Sequence, residues 1–178
     1  MSPDNGILSI QRSQIQCKKE RTIMGTDYES LKKQAEELTK DVSFLISNLA
    51  NISALIKESL SDVNWAGFYV LEDETLILGP FQGKTACVTI PVGNGVCGTA
   101  AAEDKTLVVP DVKEFPGHIA CDSASQSEIV IPIHCAGNLW GVLDIDSPSK
   151  DRFKDEDKAG LEELVKLLEK VIFAEWDN

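Results

Sequence analysis

The chain has 178 residues, 43% of them hydrophobic, a net charge of −12 and a pI near 4.6. That length fills one core without needing a second, no run reaches the length of a membrane-spanning helix, and the charge disfavours nucleic acid or an anionic lipid surface as a partner. A small or cationic ligand fits better, and without an apolar secretory stretch near its start the protein is expected to stay in the cytoplasm.

Residues 1–23 show no hydrophobic period and end in the mixed-charge stretch CKKERT. They read as a disordered extension ahead of a single domain over residues 24–178, with Met24 as a second candidate start. Arg12, Lys18, Lys19 and Arg21 suit an organelle-targeting segment, but Asp4, Glu20 and the missing amphipathic period count against it. From Tyr28 to Leu60, Leu31, Leu38, Leu45, Leu49, Ile52, Leu55 and Ile56 recur at helical spacing, which predicts two helices in series, one face of each on a sheet.

The sheet is expected to start with WAGFYVLE, TLILGP and ACVTI, strand-forming runs bounded by Asp, Glu, Gly and Pro. In the first, Trp65, Gly67 and Tyr69 share one side while Ala66, Phe68 and Val70 share the other. Core packing is the ordinary fate of such rings. The functional alternative is that the small Gly67 leaves room for the apolar end of a ligand, or for a cationic or sulfonium-like centre. NGVCGTAAAEDK then predicts a short helix after Gly95. Its glycines are not a Walker pattern, and Cys97 in its first turn should have a thiol pKa lowered by the helix dipole. A brief strand, LVV, is followed by a connection from Pro110 to about Ser127, long enough to suggest function or mobility.

In EIVIPIHCAGNLWGVLDID, Ile129, Ile131, Ile133 and Cys135 alternate with other residues, as do Leu139, Gly141, Leu143 and Ile145. These odd-numbered residues share a core face if Cys135 pairs with Leu139 across the three-residue loop Ala136-Gly137-Asn138. The opposite face then collects Glu128, Asp144 and Asp146, with Glu128 across from Asp146. A final amphipathic helix carries Leu161, Leu164, Leu168 and Ile172 on one stripe and returns to cover the sheet. The expected class is α+β, a largely antiparallel central sheet with N-terminal helices and a C-terminal helix packed on it.

The five cysteines, Cys17, Cys87, Cys97, Cys121 and Cys135, are odd in number and include no C-x-x-C pair. They match neither a secreted disulfide framework nor a spacing-coded zinc site, and neither His118 nor His134 pairs with a cysteine at a ligand spacing, so no metal is expected. Buried packing is the common fate of a cytosolic cysteine. Cys121 is different: it lies in the long polar connection, seven residues before Glu128. Three carboxylates on a sheet face are often just solvated. Crowded like charges nevertheless raise at least one carboxyl pKa, which keeps a proton available beside a nucleophile.

NWAGFYV, FQGKTACVTIPVGNGVCGTAA, LVVPDV, HIACDSASQSEIVIPI and LWGVLDIDSP together resemble the free methionine-(R)-sulfoxide reductases, which are GAF-domain enzymes. The likeness runs from about Tyr28 to the final helix. It implies a GAF-like fold, Cys121 as the cysteine that attacks the sulfoxide sulfur, Cys87 as the resolving cysteine and Cys97 as a third with a less settled part in disulfide exchange. It further implies Glu128, Asp144 and Asp146 as a substrate-binding and proton-supplying cluster, and Trp65 and Tyr69 as an aromatic wall for the methylthio end. Cys17 and Cys135 fall outside the pattern. The chemistry is coherent, because a sulfoxide oxygen leaves poorly unless protonated, and the resulting sulfenic acid condenses with a second thiol. No bound cofactor is implied; thioredoxin or a similar dithiol is the expected reductant. The competing readings are a GAF sensor for a small ligand and a redox sensor without turnover. Oligomeric state, a homodimer included, stays open at this stage.

Overall fold

In the computed structural model, residues 25–117 and 123–172 are described. The extension over residues 1–23, with Cys17, and the segment from His118 to Asp122, with Cys121, lie outside the described residues.

Helices α1 (Tyr28–Thr39) and α2 (Leu45–Ser59) come first, as the helical spacing requires. The Asp27 side chain caps α1 by accepting from the Ser30 N–H at 3.0 Å. Tyr28, Leu31, Ala35 and Thr39 form the buried side of α1, and it packs on α2 and on the final helix rather than chiefly on the sheet. Leu38 sits at the edge of that stripe and is 41% exposed, contrary to the apolar pattern, because Thr39 fills the last buried turn and bonds the Ala35 carbonyl at 2.9 Å.

Six strands follow: β1 (Trp65–Glu72), β2 (Thr75–Gln82), β3 (Thr89–Pro91), β4 (Leu107–Val109), β5 (Ser127–Cys135) and β6 (Asn138–Ser147). They form one sheet in the order β3-β2-β1-β6-β5-β4, antiparallel at every pairing. Helix α3 (Gly95–Glu103) lies between β3 and β4, a 3-10 turn covers Val112–Glu114, and α4 (Asp155–Ile172) closes the chain of described elements. The predicted strand ACVTI is reduced to Thr89–Pro91. The reason lies at Cys87, whose carbonyl accepts from the Tyr69 hydroxyl at 3.0 Å instead of entering a strand ladder.

Both faces of the sheet are covered. On one, Ala66, Phe68, Ile129, Ile131, Ile133, Leu143 and Ile145 pack with α1, α2 and the Leu161, Leu164, Val165 and Leu168 stripe of α4. On the other, Trp65, Tyr69, Val130 and Val142 pack with α3 through Val96, Cys97 and Ala100. Gly141 marks how closely β6 and β1 approach, since a Cβ there would collide with the backbone oxygen of Tyr69. Gly141→Ala is therefore expected to cost about 3 kcal/mol, read as a fall in the denaturant midpoint at unchanged m-value.

The β5–β6 turn differs from the three-residue loop expected of it. Cys135 pairs with Asn138 around a two-residue turn, Ala136 and Gly137, both at positive φ (51° and 76°). A bulge at Trp140 follows, so that His134 faces Leu139 while Ile133 faces Gly141. The shorter turn and the bulge each shift the register by one and cancel, so Glu128 does stand across from Asp146.

Candidate active site

Cross-strand pairing carries the acidic residues to one place. Trp65 pairs with Asp146, Gly67 with Asp144 and Tyr69 with Val142 between β1 and β6, while Glu128 pairs with Asp146 and Val130 with Asp144 between β5 and β6. Directly paired residues share a face, so Glu128, Asp144, Asp146, Trp65 and Tyr69 all project toward the side that α3 covers. Glu128 and Asp144 are only 6% and 7% exposed, and Asp146 is half-buried.

Cys97 reaches the same place from the first turn of α3. Its Sγ lies 3.7 Å from Glu128 Oε1, and Asp144 interacts with both side chains. The expected depression of its thiol pKa is not what the structure gives. Burial, then the charges of Asp144 and Glu128, push the Cys97 thiol well above its ordinary value, outweighing the helix dipole. Burial likewise raises Asp144 to about 6 and holds Glu128 well above the usual carboxyl range, with the Asp144 and Asp146 charges adding to the rise at Glu128. The carboxylates do crowd together, but desolvation is the larger cause of their raised pKa values. Two buried carboxyls this close do not both ionise at neutral pH, so the pair retains a proton.

The aromatic residues form a stack rather than an open slot. Trp65 lies 6.0 Å from Tyr69 and 5.2 Å from Phe81, centroid to centroid, at interplanar angles of 26° and 16°. The space expected beside Gly67 is taken by protein: a Cβ there would come within 2.6 Å of Trp65 Cη2 and would also overlap Phe81. Phe81 is the aromatic neighbour that the sequence does not reveal, because its pairing with Gly67 depends on a bulge between Gly67 and Tyr69. Trp65 Nε1–H donates to the Lys84 carbonyl at 3.1 Å and the Tyr69 hydroxyl donates to the Cys87 carbonyl at 3.0 Å, so both rings hold the segment leading to Cys87.

Cys87 is disulfide-bonded, whereas Cys97 is a free thiol. Cys121 lies outside the described residues, and with it any distance from that thiol to the carboxylates. The connection that carries Cys121 is fastened at both ends: the Val112 N–H donates to the Gln126 carbonyl at 2.9 Å, and the Gln126 N–H donates to the Ser147 carbonyl at 2.7 Å. Asn64 Nδ2 also donates to Ser125 Oγ at 3.0 Å. The ends of this connection are thus held against the end of β6, one residue beyond Asp146.

Residues 43–172 match the family model of the GAF domain. The chain is 55% identical over 145 residues to the free methionine-R-sulfoxide reductase of Escherichia coli, covering 82% of this chain and 88% of that one. This chain belongs to the free methionine-R-sulfoxide reductase family. It is a GAF-domain oxidoreductase with an α+β fold. Two solved structures in complex with substrate agree with that membership. One is fRMsr of Staphylococcus aureus, at 55% identity and a TM-score of 0.80 over 84% of this chain and 98% of that chain. The other is the free methionine-R-sulfoxide reductase of Neisseria meningitidis, at 44% identity and a TM-score of 0.78 over 82% and 87%. Among the described residues no helix is long and apolar enough to cross a membrane.

Proposed function

We propose that this reductase converts free L-methionine-(R)-sulfoxide to L-methionine, with Cys121 as nucleophile and Cys87 as the resolving cysteine. The observation that carries the reading is the buried, proton-holding Glu128–Asp144 pair, in a chain 55% identical to the Escherichia coli reductase. The pair protonates the sulfoxide oxygen while the Cys121 thiolate attacks the sulfur. The oxygen ends on Cys121 as a sulfenic acid, and the substrate sulfur leaves as the two-electron-reduced thioether. The Cys87 thiolate then attacks the Cys121 sulfur and expels water, forming a disulfide. Two electrons and two protons from a dithiol such as thioredoxin reset both thiols. Cys97, whose buried thiol is kept protonated, serves as a reserve partner in exchange.

Glu128, Asp144 and Asp146 also attract the substrate's free ammonium, which a peptide-bound methionine lacks, and Trp65 and Tyr69 flank the methylthio end. Residues 24–178 act as one catalytic domain in the cytoplasm, where disulfides are continually reduced, and residues 1–23 take no part. A single-turnover experiment tests the chemistry. Fully reduced protein mixed with free sulfoxide and no reductant should release one methionine per chain and lose two thiols, recovered as a Cys87–Cys121 peptide. Methionine release without loss of thiols contradicts the scheme.

The Tyr69 hydroxyl is assigned to hold Cys87 in place for that second step. Tyr69→Phe keeps the ring and removes the donor, and it is expected to slow disulfide closure about tenfold with little change in the methionine burst. Sulfenic acid on Cys121 should then accumulate and be trapped by dimedone. Equal slowing of both steps would reduce Tyr69 to a packing residue.

A further inference from the structure

We propose that Cys97, Glu128 and Asp144 form a site for a thiophilic divalent cation of the zinc class, and that its occupancy blocks the enzyme. One donor atom from each residue lies within 4.8 Å of the other two, and Cys97 Sγ is already 3.7 Å from Glu128 Oε1. Thiolate and carboxylate ligands around tetrahedral zinc sit roughly 3.5 Å apart, so a small contraction brings the set into range. A second observation points the same way. Among the described residues, buried Asp144 Oδ1 has no hydrogen-bond partner, on a side chain only 7% exposed. A buried carboxylate oxygen is costly to leave unpaired, and a cation between it, Glu128 and Cys97 satisfies it.

The donor set also selects the metal. One soft sulfur with two carboxylates suits zinc or cadmium, whereas magnesium and calcium need about six oxygen ligands. Three protein ligands leave the fourth position for water. Binding involves no oxidation: the cation replaces the Cys97 thiol proton, which passes to solvent together with any proton on the carboxyl pair. Cys97 is a free thiol while Cys87 is disulfide-bonded, so the site persists in the oxidised enzyme. Its three ligands come from α3, β5 and β6, which is why cysteine and histidine spacing gives no sign of it. The inhibitory consequence rests on the functional reading above, since the cation would occupy the carboxylates assigned to the substrate's ammonium. The binding does not.

Cobalt(II) titration of the oxidised full-length chain, with Cys17→Ser and Cys135→Ser to remove the other thiols, reads the site directly. The expected result is a thiolate-to-cobalt charge-transfer band in the near ultraviolet that saturates at one equivalent and is bleached by one equivalent of zinc. Cys97→Ser should abolish the band, and Asp144→Asn should weaken binding at least about tenfold. In the reduced enzyme, one equivalent of zinc should suppress sulfoxide turnover at least tenfold, with recovery on chelation. Absence of the band in the parent protein, its survival in Cys97→Ser, or full turnover with zinc bound would overturn the proposal. Failure of the metal-free enzyme to reduce any sulfoxide would instead overturn the functional reading and leave the cobalt result standing.

Discussion

Cys121→Ser is expected to lower turnover of free methionine sulfoxide by at least about 10³-fold. Serine is close in size to cysteine, but its hydroxyl remains protonated at neutral pH and is far less nucleophilic toward sulfur. It also cannot carry the sulfenic acid on which the second step depends. The loss should fall on the first step, so that single-turnover mixing releases no methionine and consumes no thiols. Cys87→Ser should behave differently, releasing one methionine per chain and then leaving a sulfenic acid on Cys121 that only the slower reaction with Cys97 removes. A melting temperature within a degree or two of the parent would confine the effect of Cys121→Ser to chemistry. Retained activity would remove Cys121 from its assigned role.

The second large effect is expected at the buried carboxyl pair. Glu128→Gln and Asp144→Asn keep the shape of the neutral side chains but cannot transfer a proton, and each should reduce kcat by roughly 10²- to 10⁴-fold. Stability should move the other way. Both groups have folded-state pKa values raised above their ordinary ones, Asp144 from 3.8 to about 6, with burial as the leading cause. Over the window between those values the native state binds more protons than the unfolded chain. Their contribution is therefore fully present below pH 4 and is lost as pH rises through 6 and, for Glu128, beyond. At pH 8 each amide variant should melt several degrees above the parent, with the difference shrinking toward pH 4. Thermal scans across that range check the sign. A variant less stable than the parent at pH 8 would mean that the carboxylates hold the fold together rather than work against it.

Features set by local pattern could be read from the chain alone, and those set by packing between elements could not. The strand alternation in EIVIPI and GVLDID is local, so it placed Glu128, Asp144 and Asp146 on one face, and the cross-strand pair Glu128–Asp146 survived even though the turn was one residue shorter than expected. The compensating bulge at Trp140 was not legible, because a bulge answers to packing across strands rather than to turn chemistry. Cys97 shows the complementary limit. Its place in the first turn of α3 was legible from Gly95 onward, but the sign of its pKa shift was not. The dipole is a property of its own helix, whereas the opposing burial and carboxylates come from β5 and β6. Gly67 failed as a ligand slot for a related reason: Phe81, brought across from β2, occupies the space.

The central claim is that a protonated carboxyl pair serves a thiol in reducing a free amino-acid sulfoxide, and steady-state selectivity tests it most directly. NADPH oxidation coupled through thioredoxin reductase and thioredoxin should be measured with the separated R and S epimers of methionine sulfoxide, each free and within a peptide. Turnover is predicted with the free R epimer, falling at least about 10²-fold with the S epimer or the peptide-bound residue. Equal rates on the peptide-bound residue would contradict the ammonium-binding role of the acidic cluster, and no oxidation with any of the four substrates would contradict the function itself.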